Sequence, residues 1–145
     1  MLSCIHKMNI KNSSNRFGEL SHVEGGAALN NQNKIQKYDI CEVALPQAQP
    51  GSSIQGGTRP VVIVSNNKCN QYSPVVSIVP LTSKPKKWLP THVDLRGFGL
   101  TADSTALCEQ ITSIDRNLIT RSIGHITSVR VQDLVDHALR VQIAA

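Results

Sequence analysis

Short apolar runs separated by turn-forming residues recur along the chain from residue 38 to residue 126. Runs of about four to eight residues with alternating or continuous apolar positions are typical of β-strands. The polar segment 66–72 interrupts this pattern and is predicted as a turn. The pattern predicts seven strands, over residues 40–45, 61–65, 75–81, 91–95, 104–108, 111–114 and 121–126.

The last part of the chain has a different period, with apolar residues three and four positions apart. Such spacing places side chains on one face of a helix. Thr127 is the predicted N-cap, and the acid-first pair Asp136 and Arg140 is expected to help the exposed face. The predicted apolar stripe, for packing in the core or in a dimer, consists of Val131, Leu134, Val135, Ala138 and Val141. Many short strands and one closing helix favour a mainly β (α+β) fold, a small antiparallel barrel with a C-terminal helix.

Residues 1–37 lack this order, because they are polar, rich in Asn, Ser and Gly, and without sustained periodicity. We predict a flexible or appended N-terminal arm over 1–37 and one domain over 38–145, a reasonable size for a single core. No secretory apolar segment or membrane-length run is present. The protein is therefore predicted to be cytoplasmic, with no membrane partner.

Composition narrows the functional classes. Aromatic residues make up only 3% of the chain, so the core must be aliphatic, and an RNA-binding sheet that stacks bases on its own aromatic residues is disfavoured. The formal charge of +5 favours an anionic partner, although the arm carries part of the excess. The four cysteines form no Cys-x-x-Cys pair, so no metal site is predicted, and they look like packing residues in a reducing compartment.

Candidate chemistry begins in the long Pro/Gly/Ser/Gln loop 46–58, which runs into a predicted buried strand. Gly56 and Gly57 allow a sharp bend in that loop. Pro60 restricts Arg59 to an extended backbone, so the strand should aim the guanidinium. Its planar set of five donors suits a phosphate. An ordinary ion pair with an acid such as Glu109 or Asp94 is the alternative for Arg59.

The end of the third predicted strand supplies the second part of the candidate site. Thr82 lies there, at the start of a basic loop that contains Lys84, Lys86 and Lys87 and is pinned by two prolines. Its hydroxyl can orient a phosphate or a ribose hydroxyl, and the lysines can follow a nucleic-acid backbone. The alternatives are a hydroxyl that caps its own turn and lysines that are only solvated. Trp88, in the same loop, is either half-buried packing or a stacking surface.

No His, Cys or carboxylate pair accompanies Arg59 and Thr82 in sequence. A metal-free displacement by the 2′-hydroxyl of RNA fits this set of groups best, with no cofactor. His92 and His125 are expected to be satisfied polar residues in strands. Glu109 is expected to position Arg59 through a salt bridge rather than to act directly.

Five stretches together resemble the MazF/PemK family of toxin endoribonucleases from bacterial toxin–antitoxin pairs. They run in the family's order through residues 38–145: 55–60 (QGGTRP), 70–74 (NQYSP), 80–84 (PLTSK), 89–93 (LPTHV) and 108–111 (CEQI) with 114–115 (ID). The resemblance implies an SH3-like barrel, a homodimer, and metal-independent, sequence-selective cleavage of single-stranded RNA.

By motif, the resemblance makes Arg59 and Thr82 the catalytic pair. The RNA groove would be lined by Ser53, Gln55, Lys84, Leu89, Pro90, Thr91 and Gln110. The implied protein partner is a cognate antitoxin whose acidic, disordered tail occupies the same basic groove.

Three positions depart from the family pattern. Ile54 stands where many relatives carry Glu, Thr112 where they often carry Arg, and Tyr38 where they usually carry Gly. The first two motivate an alternative function, in which a catalytically degenerate barrel of the same fold binds nucleic acid or protein. A weaker alternative is an orphan without an antitoxin, in which the arm has a structural role.

Overall fold

The computed structural model describes residues 34–144, so the predicted arm lies outside the described residues except for its last four positions. Short segments with alternating or continuous apolar residues form most of the seven strands, and two α-helices and two short 3-10 helices connect or follow them. The strands are β1 (Asp39–Leu45), β2 (Gly57–Ile63), β3 (Val75–Thr82), β4 (His92–Leu95), β5 (Ser104–Leu107), β6 (Thr112–Asp115) and β7 (Ile119–His125). The helices are α1 (Asn67–Tyr72) and α2 (Val129–Ile143), and the 3-10 turns are Cys108–Gln110 and Arg116–Leu118.

The strands form one antiparallel sheet in the order β4-β5-β3-β2-β1-β7, with β6 also paired to β3. One edge of β3 pairs with β6 along its first half and with β5 at its end, so this long strand passes from one part of the sheet to the other. The mainly β prediction with a C-terminal helix is confirmed.

The sheet bends into a barrel-like shape that is not closed by hydrogen bonds between its end strands. The loop after β4 packs against β7 so tightly that a Cβ on Gly124 would lie 1.9 Å from the carbonyl oxygen of Phe98. Gly99, with φ +87, would place a Cβ 2.4 Å from the carbonyl oxygen of Ile123. Backbone contact between glycines therefore brings the two ends of the sheet together.

Two apolar clusters cover opposite faces of the central strands. In β2, Val62 belongs to one cluster and Val61 and Ile63 to the other, as the period of two requires. The first cluster also receives Val135 and Ala138 from α2. The aliphatic core expected from the composition is confirmed, and each such buried side chain contributes roughly 1.5–3 kcal/mol.

Helix α2 is capped one residue later than predicted, because the hydroxyl of Ser128, not Thr127, accepts from the backbone N–H of Val131. Its predicted apolar stripe is also divided. Leu134 and Val141 remain exposed, whereas the positions nearer the sheet are buried. The stripe is thus wider than the surface that the sheet can cover.

Tyr38 joins the beginning of the domain to α2. Its hydroxyl donates to Asp136 over 3.0 Å, and Lys37 pairs with the same carboxylate at 3.0 Å, so the predicted Asp136–Arg140 pair is replaced by a tertiary one. Tyr38 has φ 72, which explains why glycine is expected at this position. Ile35 is buried as well, so ordered packing extends at least two residues before Lys37.

The prediction of a turn over 66–72 was wrong, because most of this segment forms helix α1. The side chain of Asn66 accepts from the backbone N–H of Cys69 and caps the six-residue helix α1. A helix of this length has too few positions to show apolar periodicity. Neither helix of the described range is long and apolar enough to cross a membrane.

Candidate active site

Arg59 lies inside strand β2 and not, as predicted, in the loop before it. It pairs with Val43 of β1, and because side chains alternate along a strand it shares a face with Val61 and Ile63. Strand β2 begins earlier than the apolar run suggests because its pairing with β1 continues back to Gly57. The guanidinium is therefore attached to a strand that is paired to its neighbour.

The loop that precedes Arg59 bends at Gly56 and Gly57. Each of these positions requires glycine, but for a different reason. Gly57 has φ +75, a conformation that favours glycine. Gly56 lies so close to the preceding segment that a Cβ would meet the backbone nitrogen of Ala48 at 2.3 Å and the carbonyl oxygen of Pro46 at 2.5 Å. The bend expected from the sequence is confirmed, and close packing adds a second requirement for glycine.

The folded loop holds the Arg59 guanidinium. Nε donates to the carbonyl oxygen of Gly56 over 2.8 Å, Nη2 donates to the same oxygen, and Nη1 donates to Oε1 of Gln55. Because a guanidinium has five N–H groups, two remain for a ligand. Both belong to the terminal nitrogens that can contact a phosphate in a bidentate manner.

No carboxylate of the described residues pairs with Arg59. Partial burial lowers the pKa of its guanidinium from the ordinary value, because desolvation disfavours the charged form. Neutral oxygens alone compensate this cation. An anionic ligand would therefore improve its surroundings.

The expected partners of Arg59 are engaged elsewhere, so the prediction that Glu109 positions it was wrong. Glu109 accepts from the hydroxyl of Thr91 over 3.0 Å and contacts Nε2 of His92 at 3.1 Å. Asp94 accepts from Thr105 on the neighbouring strand. His92 is a satisfied polar residue, as predicted, and so is His125, whose Nδ1 lies 2.7 Å from Asp39.

Thr82 is the last residue of β3 and is buried. The last pair of β2 and β3 is Val61 with Pro80, and Arg59 lies two residues before Val61 while Thr82 lies two residues after Pro80. Because side chains alternate along a strand, both residues share the face of this pair. The backbone N–H of Lys84 donates to Oγ1 of Thr82 over 3.2 Å. The hydroxyl thus caps its own turn, and it keeps its proton for donation to a ligand.

Arg59 and Thr82 line one open cleft of about 530 Å³. The structure brings three of the predicted RNA-binding residues, Ser53, Gln55 and Lys84, to the same cleft, together with Lys86. No His, Asp or Glu is among the lining residues. The cleft therefore presents cations, a hydroxyl and amides, a set that suits a phosphate diester.

Gln110, another predicted RNA-binding residue, lines a neighbouring cleft of about 640 Å³. Its Oε1 accepts from the backbone N–H of Gln55 over 2.8 Å, and its Nε2 donates to the carbonyl oxygen of Ser53 over 2.9 Å. Both ends of the amide are therefore attached to the loop that holds Arg59. Ile54 and Thr112 line this second cleft, not the first.

The remaining predicted RNA-binding residues, Leu89, Pro90 and Thr91, line neither cleft. Leu89 and Pro90 are exposed on the segment before β4. Thr91 is buried, with its hydroxyl donated to Glu109. In this conformation Thr91 is part of the support beneath the loop.

The segment after β4 forms one wall of the Arg59 cleft, and this was not predicted from the sequence. Leu100, Thr101, Ala102 and Ser104 lie there because β5 pairs with the end of β3, with Thr105 opposite Thr82. The polar turn before β5 was visible in sequence, but only the pairing of β5 with β3 puts it beside Arg59. Among residues 34–144, no three His, Cys, Asp or Glu side chains are grouped to hold a metal ion.

Known proteins resemble this chain in sequence and in fold. Residues 36–143 match the family described as PemK-like, MazF-like toxin of type II toxin–antitoxin system. A curated relative, Endoribonuclease EndoA of Bacillus subtilis (strain 168), is 39% identical over 95 residues, which cover 63% of this chain and 81% of the relative.

Solved structures share the fold. The crystal structure of MazF (Form-I) from Deinococcus radiodurans has a TM-score of 0.65 at 21% identity, and the match covers 77% of this chain and 97% of that one. An endoribonuclease in complex with its cognate antitoxin from Mycobacterial species has a TM-score of 0.60 at 20% identity, with 75% and 94% covered. At these identities the likeness establishes architecture.

Proposed function

The chain belongs to the PemK-like, MazF-like toxins of type II toxin–antitoxin systems, and from this premise we propose that it is the toxin of such a pair and cleaves RNA at the cleft of Arg59 and Thr82. The 39% identical relative is named an endoribonuclease, which supports the reaction class. The substrate is single-stranded mRNA, cut at selected sequences without a metal or another cofactor.

One observation carries the assignment of the site. A strand-held guanidinium without a carboxylate partner among the described residues shares a cleft with a hydroxyl that retains its proton and with two lysines. Such fixed donors stabilise negative charge that develops on a phosphate during reaction. A guanidinium that served only packing would gain from an acidic neighbour.

The proposed reaction uses the nucleophile of the substrate. The ribose 2′-oxygen attacks the adjacent phosphorus, the bond from phosphorus to the 5′-oxygen breaks, and that oxygen leaves with a proton. The products are a cyclic phosphate and a 5′-hydroxyl. Arg59 stabilises the added charge on the phosphorane, and Thr82 donates its hydroxyl proton to a phosphate oxygen or the ribose. The cleft supplies no carboxylate or imidazole base, so the 2′ proton passes to water and the departing 5′-oxygen takes up its proton from water.

The partners follow from the family and from the charge of the cleft. An antitoxin is the protein partner, and its acidic, disordered tail would compete with RNA for Arg59, Lys84 and Lys86. The toxin acts as a homodimer in the cytoplasm. The exposed apolar residues Leu134 and Val141 of α2 are available for a protein contact and support the assembly.

Incubation of the full-length protein with a long single-stranded RNA in EDTA tests the proposal. Discrete fragments that end in a cyclic phosphate are expected, with cut sites mapped by primer extension. Arg59→Ala and Thr82→Val should each lower the cleavage rate by roughly a hundred- to a thousand-fold. Their melting temperatures should stay close to that of the parent protein.

Arg121→Ala is the matched control, because Arg121 is an exposed arginine of β7 that pairs with Glu42 outside the cleft. It should cleave at the parent rate. A strict requirement for magnesium would contradict the metal-free reaction. Growth arrest that persists in both cleft variants, without RNA cleavage, would instead favour the binding-module function.

A further inference from the structure

Trp88 is the only tryptophan of the chain, and 72% of its surface is exposed. Half-buried packing, one of the two expectations for this residue, is therefore wrong. No hydrogen bond within residues 34–144 involves its indole. A large flat apolar side chain left in water is a feature of interaction sites.

The segment that carries Trp88 is held in place on both sides. Pro85 and Pro90 fix the backbone φ around it. The turn before it is capped by Thr82, through the backbone N–H of Lys84, and the backbone N–H of His92 donates to the carbonyl oxygen of Leu89 over 2.9 Å. The indole is thus presented by a restrained loop, which lowers the entropy lost when a ligand binds.

The surroundings of Trp88 are cationic and continue into the cleft. Lys84 and Lys86 line the cleft with Arg59, and Lys87 precedes the indole directly. None of these lysines forms an ion pair with another described residue. Trp88 is two residues from Lys86, so their Cα atoms are at most about 7 Å apart. Trp88 itself lines none of the described clefts, so a ligand bound at the lysines would have to extend beyond the cleft by this short distance to reach the ring.

We propose that Trp88 stacks on one unpaired base of the RNA strand whose scissile phosphate is bound at Arg59 and Thr82. Single-stranded RNA offers both the phosphates that the lysines attract and the flat apolar face that covers an indole. An acidic peptide would satisfy the lysines but has no comparable face for the ring. This assignment rests on the proposed function, and it adds a base-binding position outside the catalytic cleft.

Intrinsic fluorescence measures this contact directly, because all tryptophan emission comes from Trp88. A single-stranded DNA oligonucleotide of cleavable sequence has bases and phosphates but no 2′-hydroxyl, so it binds without being cut. We expect it to quench the emission of the full-length protein. The midpoint should equal the dissociation constant measured by the anisotropy of a labelled oligonucleotide.

Substitutions at Trp88 test the contribution of the aromatic ring separately from that of the rest of the loop. Trp88→Leu keeps an exposed apolar residue without an aromatic face, and it should weaken oligonucleotide binding and raise the KM for RNA by about ten-fold, with kcat retained. Trp88→Phe should restore most of the affinity. Tyr72→Leu is the matched control, because Tyr72 is 70% exposed but precedes the opposite end of β3, a strand of eight residues that spans about 25 Å.

The outcomes are distinguishable. Failure of the parent protein to cut RNA would remove the proposed function itself. Cleavage by the parent with an unchanged KM in Trp88→Leu, or oligonucleotide binding by anisotropy without quenching, would overturn the stacking assignment alone. Equal quenching by polyglutamate that competes with the oligonucleotide would assign the surface to an acidic peptide and also overturn it.

Discussion

Replacement of Gln110 by leucine should slow RNA cleavage without changing the cut sites, because Gln110 holds the loop that holds Arg59. The substitution removes the bonds to the backbone of Gln55 and Ser53, at 2.8 and 2.9 Å, and leaves the shape of the side chain similar. Gln55 in turn accepts from Arg59. Without the Gln110 bonds, the loop residue Gln55 would hold the Arg59 guanidinium less firmly.

The magnitude follows from the two bonds. Each neutral hydrogen bond contributes about 1 kcal/mol net, so together they favour the folded loop by about 2 kcal/mol. Loss of that free energy would reduce the population of the native loop relative to its alternatives by up to about 30-fold. Water can reach part of this site and replace some of the bonding, so the expected fall in the single-turnover rate is about ten- to thirty-fold.

Two measurements check this explanation. Single-turnover cleavage of one defined transcript gives the rate constant and the cut sites. Hydrogen exchange should show faster exchange of the Gln55 amide in Gln110→Leu. Gln49→Leu is the matched control, because Gln49 lines the same cleft and its side chain makes no hydrogen bond within the described residues.

A direct contact between Gln110 and an RNA base predicts something else. Such a contact would make Gln110→Leu alter the sequence at the cut sites or raise KM, with the rate constant at saturation unchanged. That result, with normal protection of the Gln55 amide, would refute a role in holding the loop.

Three further predictions test the packing of the loop and of the core. Gly56→Ala should lose most cleavage activity and should lower the melting temperature more than Gly51→Ala does. A Cβ on Gly56 meets the backbone at 2.3 Å, whereas a Cβ on Gly51 has nothing within 4 Å. Alanine at Gly51, where φ is +79, incurs only roughly 1–2 kcal/mol of backbone strain. Burial raises the pKa of Cys41 and of Cys108 to about 12, so at pH 8 iodoacetamide should label the exposed Cys69 and spare both. Because the unfolded chain releases these two protons at lower pH, the free energy of unfolding should fall as the pH rises above about 9. Labelling of Cys41, Cys69 and Cys108 at equal rates in the native protein would contradict the burial.

Much of the fold could be predicted because strand signals are local. The alternation of β4 and the helical spacing in α2 reflect burial of one face, and the nearly continuous apolar run of β3 reflects burial of both faces; these patterns are present in the residues themselves. Helix α1 escaped prediction because its stability comes from the Asn66 cap and from contact with the sheet. The residue types of the proposed catalytic pair could also be read from the sequence, since Arg59 follows the Gly-Gly turn of its loop and Thr82 ends an apolar run.

The partners of polar side chains could not be predicted from the sequence in the same way. Glu109 was expected beside Arg59 because opposite charges attract, yet it contacts Thr91 and His92. The RNA contact of Gln110 stays a prediction, and no sequence pattern indicated that its amide bonds to a loop more than fifty residues away in sequence. Hydrogen bonds depend on distances of a few tenths of an ångström, and no local pattern encodes these.

The amino-acid sequence by itself determined most of the strands, the closing helix and the position of Thr82 at the end of its strand, and it placed Arg59 next to the strand in which the structure has it. Only the tertiary structure decided that β2 and β3 bring the two side chains to one cleft, and that Glu109 pairs with His92 while Asp94 accepts from Thr105. The physical reason is that strand register and charge neutralisation are properties of neighbours in space. A guanidinium can bind an anionic ligand strongly only where the fold leaves it without a carboxylate partner.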